Sequence, residues 1–282
     1  MNRVAVIGAG TMGNGIAHVF AQHGWDTLLV DVAADALERA LATIAANTDR
    51  QVRKGALTAD AKQALLGRIR TATALDGAGN AELVVEAATE RRDAKRALFR
   101  ELDAAAAPGA ILASNTSSIP ITDLAAQTGR PARVIGMHFM NPVPVMPLVE
   151  VVRGLETSAE TTARVLAIAR ELGKTPVEVR DAPGFVSNRV LMPMINEAMF
   201  CVMEGVASAE AVDTVMKLGM NHPVGPLALA DLIGLDVCLA ILEVLHHDLG
   251  DDKYRPCPLL RTMVAAGRLG RKSGRGFHDY RG

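Results

Sequence analysis

Aromatic residues make up only 3% of the 282 positions, which leaves few flat surfaces on which nucleobases could stack. A formal net charge of −1 also offers no globally basic face to a phosphate backbone. No nucleic-acid partner is expected. Cysteine is scarce as well: Cys201, Cys238 and Cys257 are an odd number and show no C-x-x-C spacing. They read as free, buried thiols in a reducing compartment. Long uncharged apolar runs are missing. The longest, 137–149, carries Pro142, Pro144 and Pro147 and is unsuited to a membrane helix. Near the N-terminus, Val4-Ala5-Val6-Ile7 is too short an apolar run for a signal peptide. The expectation is a soluble, cytoplasmic protein without a membrane partner. The remaining composition, 49% hydrophobic and 22% charged, is ordinary for a globular chain with room for one large or two smaller domains.

What is present begins with Val4-Ala5-Val6-Ile7, a continuous apolar run of the kind found in a strand buried on both faces. It leads into Gly8-Ala9-Gly10-Thr11-Met12-Gly13, then into helical spacing at Ile16, Val19 and Phe20. A second apolar run, Thr27-Leu28-Leu29-Val30, ends at Asp31. This is G-x-G-x-x-G in a strand–turn–helix–strand context, closed by an acid. Gly8 permits the tight turn, Gly10 lets a pyrophosphate approach the backbone, and Gly13 lets the helix pack close. Thr11 and Met12 open the helix whose N–H groups face the phosphates. Asp31 is suited to accept from ribose hydroxyls and to repel the additional phosphate of NADP. The cofactor expected is NAD.

Beyond Asp31 the chain alternates in the α/β manner. Helices are predicted at 33–53, 58–66, 92–106 and 159–172, and strands at 83–85, 111–113, 134–136, 148–152 and 177–179. In open α/β sheets ligands sit beyond the strand C-terminal ends. Gly8, Asp31, the stretch 86–90, the stretch 114–117 and His138 all fall there. The pattern changes at Pro183-Gly184, after which only helical spacing is found, at 185–204, 208–216, 227–249 and 258–266. The fold class expected is α/β: a Rossmann-type doubly wound parallel sheet over 1–182, then a smaller all-helical domain over 183–282 for substrate binding and dimerisation. The stretch 191–203 is apolar on most sides, which suggests a homodimer.

Between 134 and 152 the chain reads VIGMHFMNPVPVMPLVEVV, with His138 and Glu150 as its two titratable side chains. Imidazole takes and gives protons near neutrality, and a neighbouring carboxylate favours its charged form and fixes its tautomer. The two prolines of Asn141-Pro142-Val143-Pro144 rule out a continuous strand or helix. Strand, rigid turn, strand would bring His138 and Glu150 face to face. Taken alone, the segment is equally compatible with a buried structural histidine. Its place among the strand ends favours the functional reading. The pair His246-His247 before Asp248 reads as a solvated helix end, and no zinc motif, nucleophile elbow or Walker loop is found; no metal is expected.

Taken together, these residues resemble the L-3-hydroxyacyl-CoA dehydrogenase family, in its short form often called 3-hydroxybutyryl-CoA dehydrogenase. The resemblance spans essentially the whole chain. It rests on GAGTMG, on SNTSSI from Ser114 to Ile119, on HFMNPVPVMPLVEVV from His138 to Val152, on PGFVSNR from Pro183 to Arg189, and on GRKSGRGF near the end. It implies that His138 is the catalytic base and Glu150 its partner. It implies that Ser117 and Asn188 bind the substrate and steady the reacting oxygen. Asp31, Glu90, Lys95, Ser117, Asn141 and Lys272 match positions that touch NAD, and Lys54 a position near the coenzyme A phosphates. One departure is Pro147, where the family usually has lysine. The reaction implied is reversible oxidation of a (3S)-3-hydroxyacyl-CoA, of short chain, in fatty acid metabolism. Two other readings stay open: a dehydrogenase of a free hydroxy or sugar acid on the same scaffold, and an NAD-binding protein without catalysis.

Overall fold

The computed structural model describes residues 2–281. The chain divides into two compact units, Met1–Asp181 and Ala182–Gly282. In the first, eight strands form one sheet: β1 (Arg3–Ile7), β2 (Asp26–Val30), β3 (Ile69–Ala72), β4 (Leu83–Glu86), β5 (Ile111–Ser114), β6 (Val134–Phe139), β7 (Leu148–Arg153) and β8 (Thr175–Arg180). Their spatial order is β3-β2-β1-β4-β5-β6-β7-β8. The first six are mutually parallel; β7 turns back antiparallel to β6, and β8 runs parallel to β7. The order 3-2-1-4-5-6 is that of a Rossmann sheet, whose direction of winding reverses between β1 and β4.

Helices α1 (Thr11–Gln22), α2 (Ala34–Arg53), α3 (Ala59–Gly67), α4 (Arg92–Ala105), α5 (Ile121–Ala125) and α6 (Ala159–Glu171) flank this sheet. Alternate strand residues such as Val4, Val6, Val85, Met137 and Val151 share one core cluster with Ile16, Val19 and Phe20 of α1, Ile44 of α2 and Ile168 of α6. The alternation follows from the strand period of two. Thr58 and Ser158 begin α3 and α6 with side-chain caps that accept from the amides of Ala61 and Thr161.

Two sequence expectations change. Strand β3 was not anticipated: Ile69-Arg70-Thr71-Ala72 is an edge strand, its middle residues exposed, so it lacks the apolar run of its neighbours. The helix predicted over 227–249 is two, α9 (Pro226–Ile233) and α10 (Leu235–Leu249), broken at Gly234, whose φ is +104°.

The second unit contains those two helices with α7 (Ser187–Met203), α8 (Ala209–Gly219) and α11 (Pro258–Ala265), and no strand element among the described residues. Its core gathers Met192, Ile195 and Met199 with Leu227, Leu242, Leu245 and Leu260. Buried Asp231 accepts from the amides of Phe277 and His278 and from the Tyr280 hydroxyl, tying down the tail that follows GRKSGRGF. All three cysteines are free, Cys238 and Cys257 buried and Cys201 partly so. Burial pushes the Cys238 thiol up to about 12, so it is inert rather than nucleophilic. Among the described residues, no helix is long and apolar enough to cross a membrane.

Candidate active site

Gly8 follows β1 with φ +102°, and a Cβ there would lie 2.6 Å from the Ala88 Cα. A Cβ on Gly13 would lie 1.7 Å from the Gly8 carbonyl oxygen. These two glycines let the loop fold back onto α1 and onto the end of β4. Gly10 differs: a Cβ there would meet nothing within 4 Å. The loop therefore has open space beside Gly10, the residue that precedes the first turn of α1. That turn carries no acidic residue and no side-chain cap, so its amides suit an anion.

Asp31, at the end of β2, braces this loop. Its Oδ2 accepts from the Ala9 amide at 2.8 Å and its Oδ1 from the Ala33 amide at 3.0 Å. Each carboxylate oxygen can accept more than one hydrogen bond, so ribose hydroxyls are compatible with this bracing. Next to the loop lies a cavity of about 110 Å³ lined by Met12, Ala87, Ala88, Thr89, Glu90, Lys95 and Asn115. The open side of Gly10, the α1 amides, Asp31 and this cavity together fit a dinucleotide.

At the ends of β4 and β5 stands a cluster that the sequence reading only partly named. Glu86 is fully buried and accepts from Lys95 Nζ at 2.5 Å, from Ser114 Oγ at 2.8 Å and from the Ala88 amide at 2.8 Å. Lys95 is itself buried, with its ammonium 4.0 Å from Glu90. Glu90 accepts from Thr116 Oγ1 at 2.8 Å, and from the Ser117 amide at 2.9 Å and hydroxyl at 3.2 Å. Glu86, Ser114 and Asn115 belong to the strand ends expected to face ligands, but the sequence gives them no role. They matter as supports, because a buried lysine needs a carboxylate and the Asn115 Oδ1 accepts from the Phe139 amide at 2.9 Å, beside His138.

The antiparallel ladder of β6 and β7 pairs His138 directly with Glu150. Both side chains are buried, and His138 Nδ1 lies 2.8 Å from Glu150 Oε2. A carboxylate at Nδ1 holds the ring proton there and leaves the lone pair of the neutral ring on Nε2. In the intervening turn the Asn141–Pro142 peptide is cis, and the amides of Val145 and Met146 donate to the Pro142 carbonyl. Pro147 does no damage. The β6–β7 pairing spans 136–139 and 149–152, so its ring lies beyond the ladder, and its carbonyl accepts from the Thr175 amide at 2.7 Å.

Residues 3–182 match the model of the 3-hydroxyacyl-CoA dehydrogenase NAD binding domain, and residues 184–280 match that of the 3-hydroxyacyl-CoA dehydrogenase C-terminal domain. The chain belongs to the 3-hydroxyacyl-CoA dehydrogenase family. It is 58% identical over 280 residues to a probable 3-hydroxybutyryl-CoA dehydrogenase of Bacillus subtilis, covering 99% of this chain and 98% of that one. It is 54% identical to the 3-hydroxybutyryl-CoA dehydrogenase of Bradyrhizobium diazoefficiens, covering 100% and 96%. The crystal structure of an (S)-3-hydroxybutyryl-CoA dehydrogenase from Ralstonia eutropha superimposes with a TM-score of 0.97 at 51% identity over the whole of both chains. This protein is thus an NAD-binding oxidoreductase.

In this 3-hydroxyacyl-CoA dehydrogenase the other expected site residues belong to elements of both units. Lys54 caps the C-terminus of α2 and is exposed. Asn141 is exposed on the turn between His138 and Glu150. Asn188 and Lys272 belong to the second unit: Asn188 is buried in the first turn of α7, and Lys272 pairs with Asp236 at 2.5 Å. His246, set aside earlier, pairs with Asp252 at 3.0 Å, and His278 pairs with Asp213 at 2.8 Å.

Proposed function

We propose that this protein reversibly oxidises the 3-hydroxyl of short (3S)-3-hydroxyacyl-CoA thioesters, such as 3-hydroxybutyryl-CoA, to the 3-ketoacyl-CoA in cytoplasmic fatty acid metabolism. The observation that carries the proposal is the buried His138–Glu150 pair, at 2.8 Å, in a chain of this family. Whole-length likeness to proteins named 3-hydroxybutyryl-CoA dehydrogenase supports the substrate class.

In oxidation, His138 takes the proton of the substrate hydroxyl at Nε2 as C3 becomes the carbonyl carbon. NAD, when bound, supplies the acceptor for the hydride that leaves C3. Glu150 then faces a full imidazolium across its Nδ1–H; because it is already in place, its charge stabilises that cation without reorganisation. In the reverse direction the same imidazolium returns the proton. Ser117 and Asn188 are the groups we assign to the substrate's oxygens, and Lys54 to the coenzyme A phosphates. Gly8, Gly10, Thr11, Met12, Gly13, Asp31, Glu90, Lys95, Ser117, Asn141 and Lys272 are assigned to NAD.

A homodimer through the second unit completes the proposal. Val190, Val215, Leu218 and Met220 are large apolar side chains more than half exposed there, Leu218 at 81%. Apolar surface of this kind marks an interface. NADH production from 3-hydroxybutyryl-CoA, compared with free 3-hydroxybutyrate and L-gulonate, tests the substrate class. Turnover of the thioester alone is expected; equal or faster turnover of a free acid would replace it with a hydroxy-acid dehydrogenase. No turnover of any, with NAD still bound, would leave a binding protein.

A further inference from the structure

We infer that Lys174 is a positioning residue for the cofactor site, its ammonium clamping the 140–147 turn against the helix that follows the glycine loop. Lys174 lies just before β8, and its Nζ donates to the carbonyl of Val143 at 2.6 Å and to that of Met146 at 2.8 Å. The next amide, of Thr175, takes the carbonyl of Pro147. Three carbonyls of one turn are thus held by two consecutive residues. Burial pushes the Lys174 ammonium below the ordinary lysine pKa, and the two carbonyls are what replace its lost water.

The opposite side of the turn rests on α1. A Cβ added at Gly15 would come within 2.9 Å of Val143 Cβ and 3.6 Å of Pro144 Cδ, so the turn and the helix are in direct contact. Gly15 is in the second turn of α1, immediately after the amides offered to a pyrophosphate. His138 does not depend on this clamp, because the β6–β7 ladder and the Asn115 bond to the Phe139 amide hold its backbone. Asn141 does, since it sits on the turn outside the ladder. Lys174 therefore acts on cofactor binding rather than on the proton transfer. This rests on the reading of Asn141 as an NAD contact.

The test is calorimetric titration of NAD into wild-type, Lys174→Met, Lys174→Arg and Gly15→Ala proteins, with steady-state kinetics and thermal melts alongside. Lys174→Met removes the clamp, and Gly15→Ala pushes the turn from the other side. Both should raise the Kd and KM for NAD on the order of tenfold, with kcat at saturating NAD and KM for the acyl-CoA within about threefold of wild type. Lys174→Arg, which still donates to carbonyls, should restore most of the affinity. An unchanged Kd in Lys174→Met overturns the inference. So does a loss of kcat, affinity and Tm together that arginine does not rescue, which would mark a merely structural lysine. If Lys174→Met does not fold, Gly15→Ala with wild-type Kd overturns it. Wild-type protein that binds no NAD would overturn the cofactor reading and the clamp with it.

Discussion

Gly10→Ala and Gly13→Ala add the same methyl group to the same loop, and the structure assigns them opposite effects. At Gly13 the new Cβ would lie 1.7 Å from the Gly8 carbonyl oxygen, whereas real Cβ atoms keep at least 3.0 Å. Loop and helix must separate by about 1.3 Å, against a backbone atom that has no rotamer to yield. Overpacking of this kind costs about 1–3 kcal/mol, or roughly 2–12 °C in the Tm of a unit this size. It also moves the α1 amides. At Gly10 the Cβ enters open space, and the residue's φ of −67° suits alanine. Stability should hold, or rise by about 0.4–1 kcal/mol through the unfolded state. The space it fills is the one proposed for the pyrophosphate. Losing one charge-assisted hydrogen bond, about 1.5–3 kcal/mol, should weaken NAD binding by roughly ten- to more than a hundredfold. Thermal melts without cofactor and calorimetric NAD titrations separate the two. If Gly10→Ala binds NAD like wild type, or if Gly13→Ala melts like wild type, the reading of the loop is wrong.

Asp31→Ala should weaken NAD binding and narrow the preference over NADP, because the carboxylate braces the Ala9 amide and is the group proposed to accept from the ribose hydroxyls; equal wild-type kcat/KM with the two cofactors would contradict this. His18 is fully buried and burial holds its pKa below the ordinary value. Below about pH 6.5 the unfolded chain takes up a proton that the folded chain refuses, so stability should fall with pH until the lowered native value is passed. The slope from this one group is at most about 1.4 kcal/mol per pH unit. Urea midpoints of His18→Gln against wild type should therefore converge as pH drops below 6.5, and parallel curves would refute the assignment. Light scattering at micromolar concentration should return a dimer, about twice the 29.8 kDa of the chain; a monomer would remove the proposed interface.

The parts legible in the sequence are those whose signal is local. The glycine loop, Asp31 and the two apolar runs around them fall within thirty or so residues and have a spacing dictated by backbone geometry. His138 and Glu150 were legible because a short turn between two strands fixes their register. Strand β3 was not, because an edge strand needs an apolar residue on one face only, and Arg70-Thr71 gives no alternation to read. Gly234 looked like one small residue in a long helical pattern until its positive φ showed the break. Lys174 was illegible for another reason, as was the job of Asn115 within the stretch 114–117. Their partners are main-chain groups 24 to 31 residues away, and a backbone carbonyl or amide has no identity in sequence.

The most direct test is the NAD-dependent oxidation of 3-hydroxybutyryl-CoA by His138→Gln, with NAD affinity measured on the same protein and chemistry shown to limit the rate. A positioned base contributes roughly 10²–10⁴ in rate, so kcat should fall by that factor while the Kd for NAD stays near wild type. Glu150→Gln should lose a comparable or smaller factor, and the double variant much less than the product of the two, since they act as a unit. A near-wild-type kcat in His138→Gln would contradict the assignment of His138 as the base.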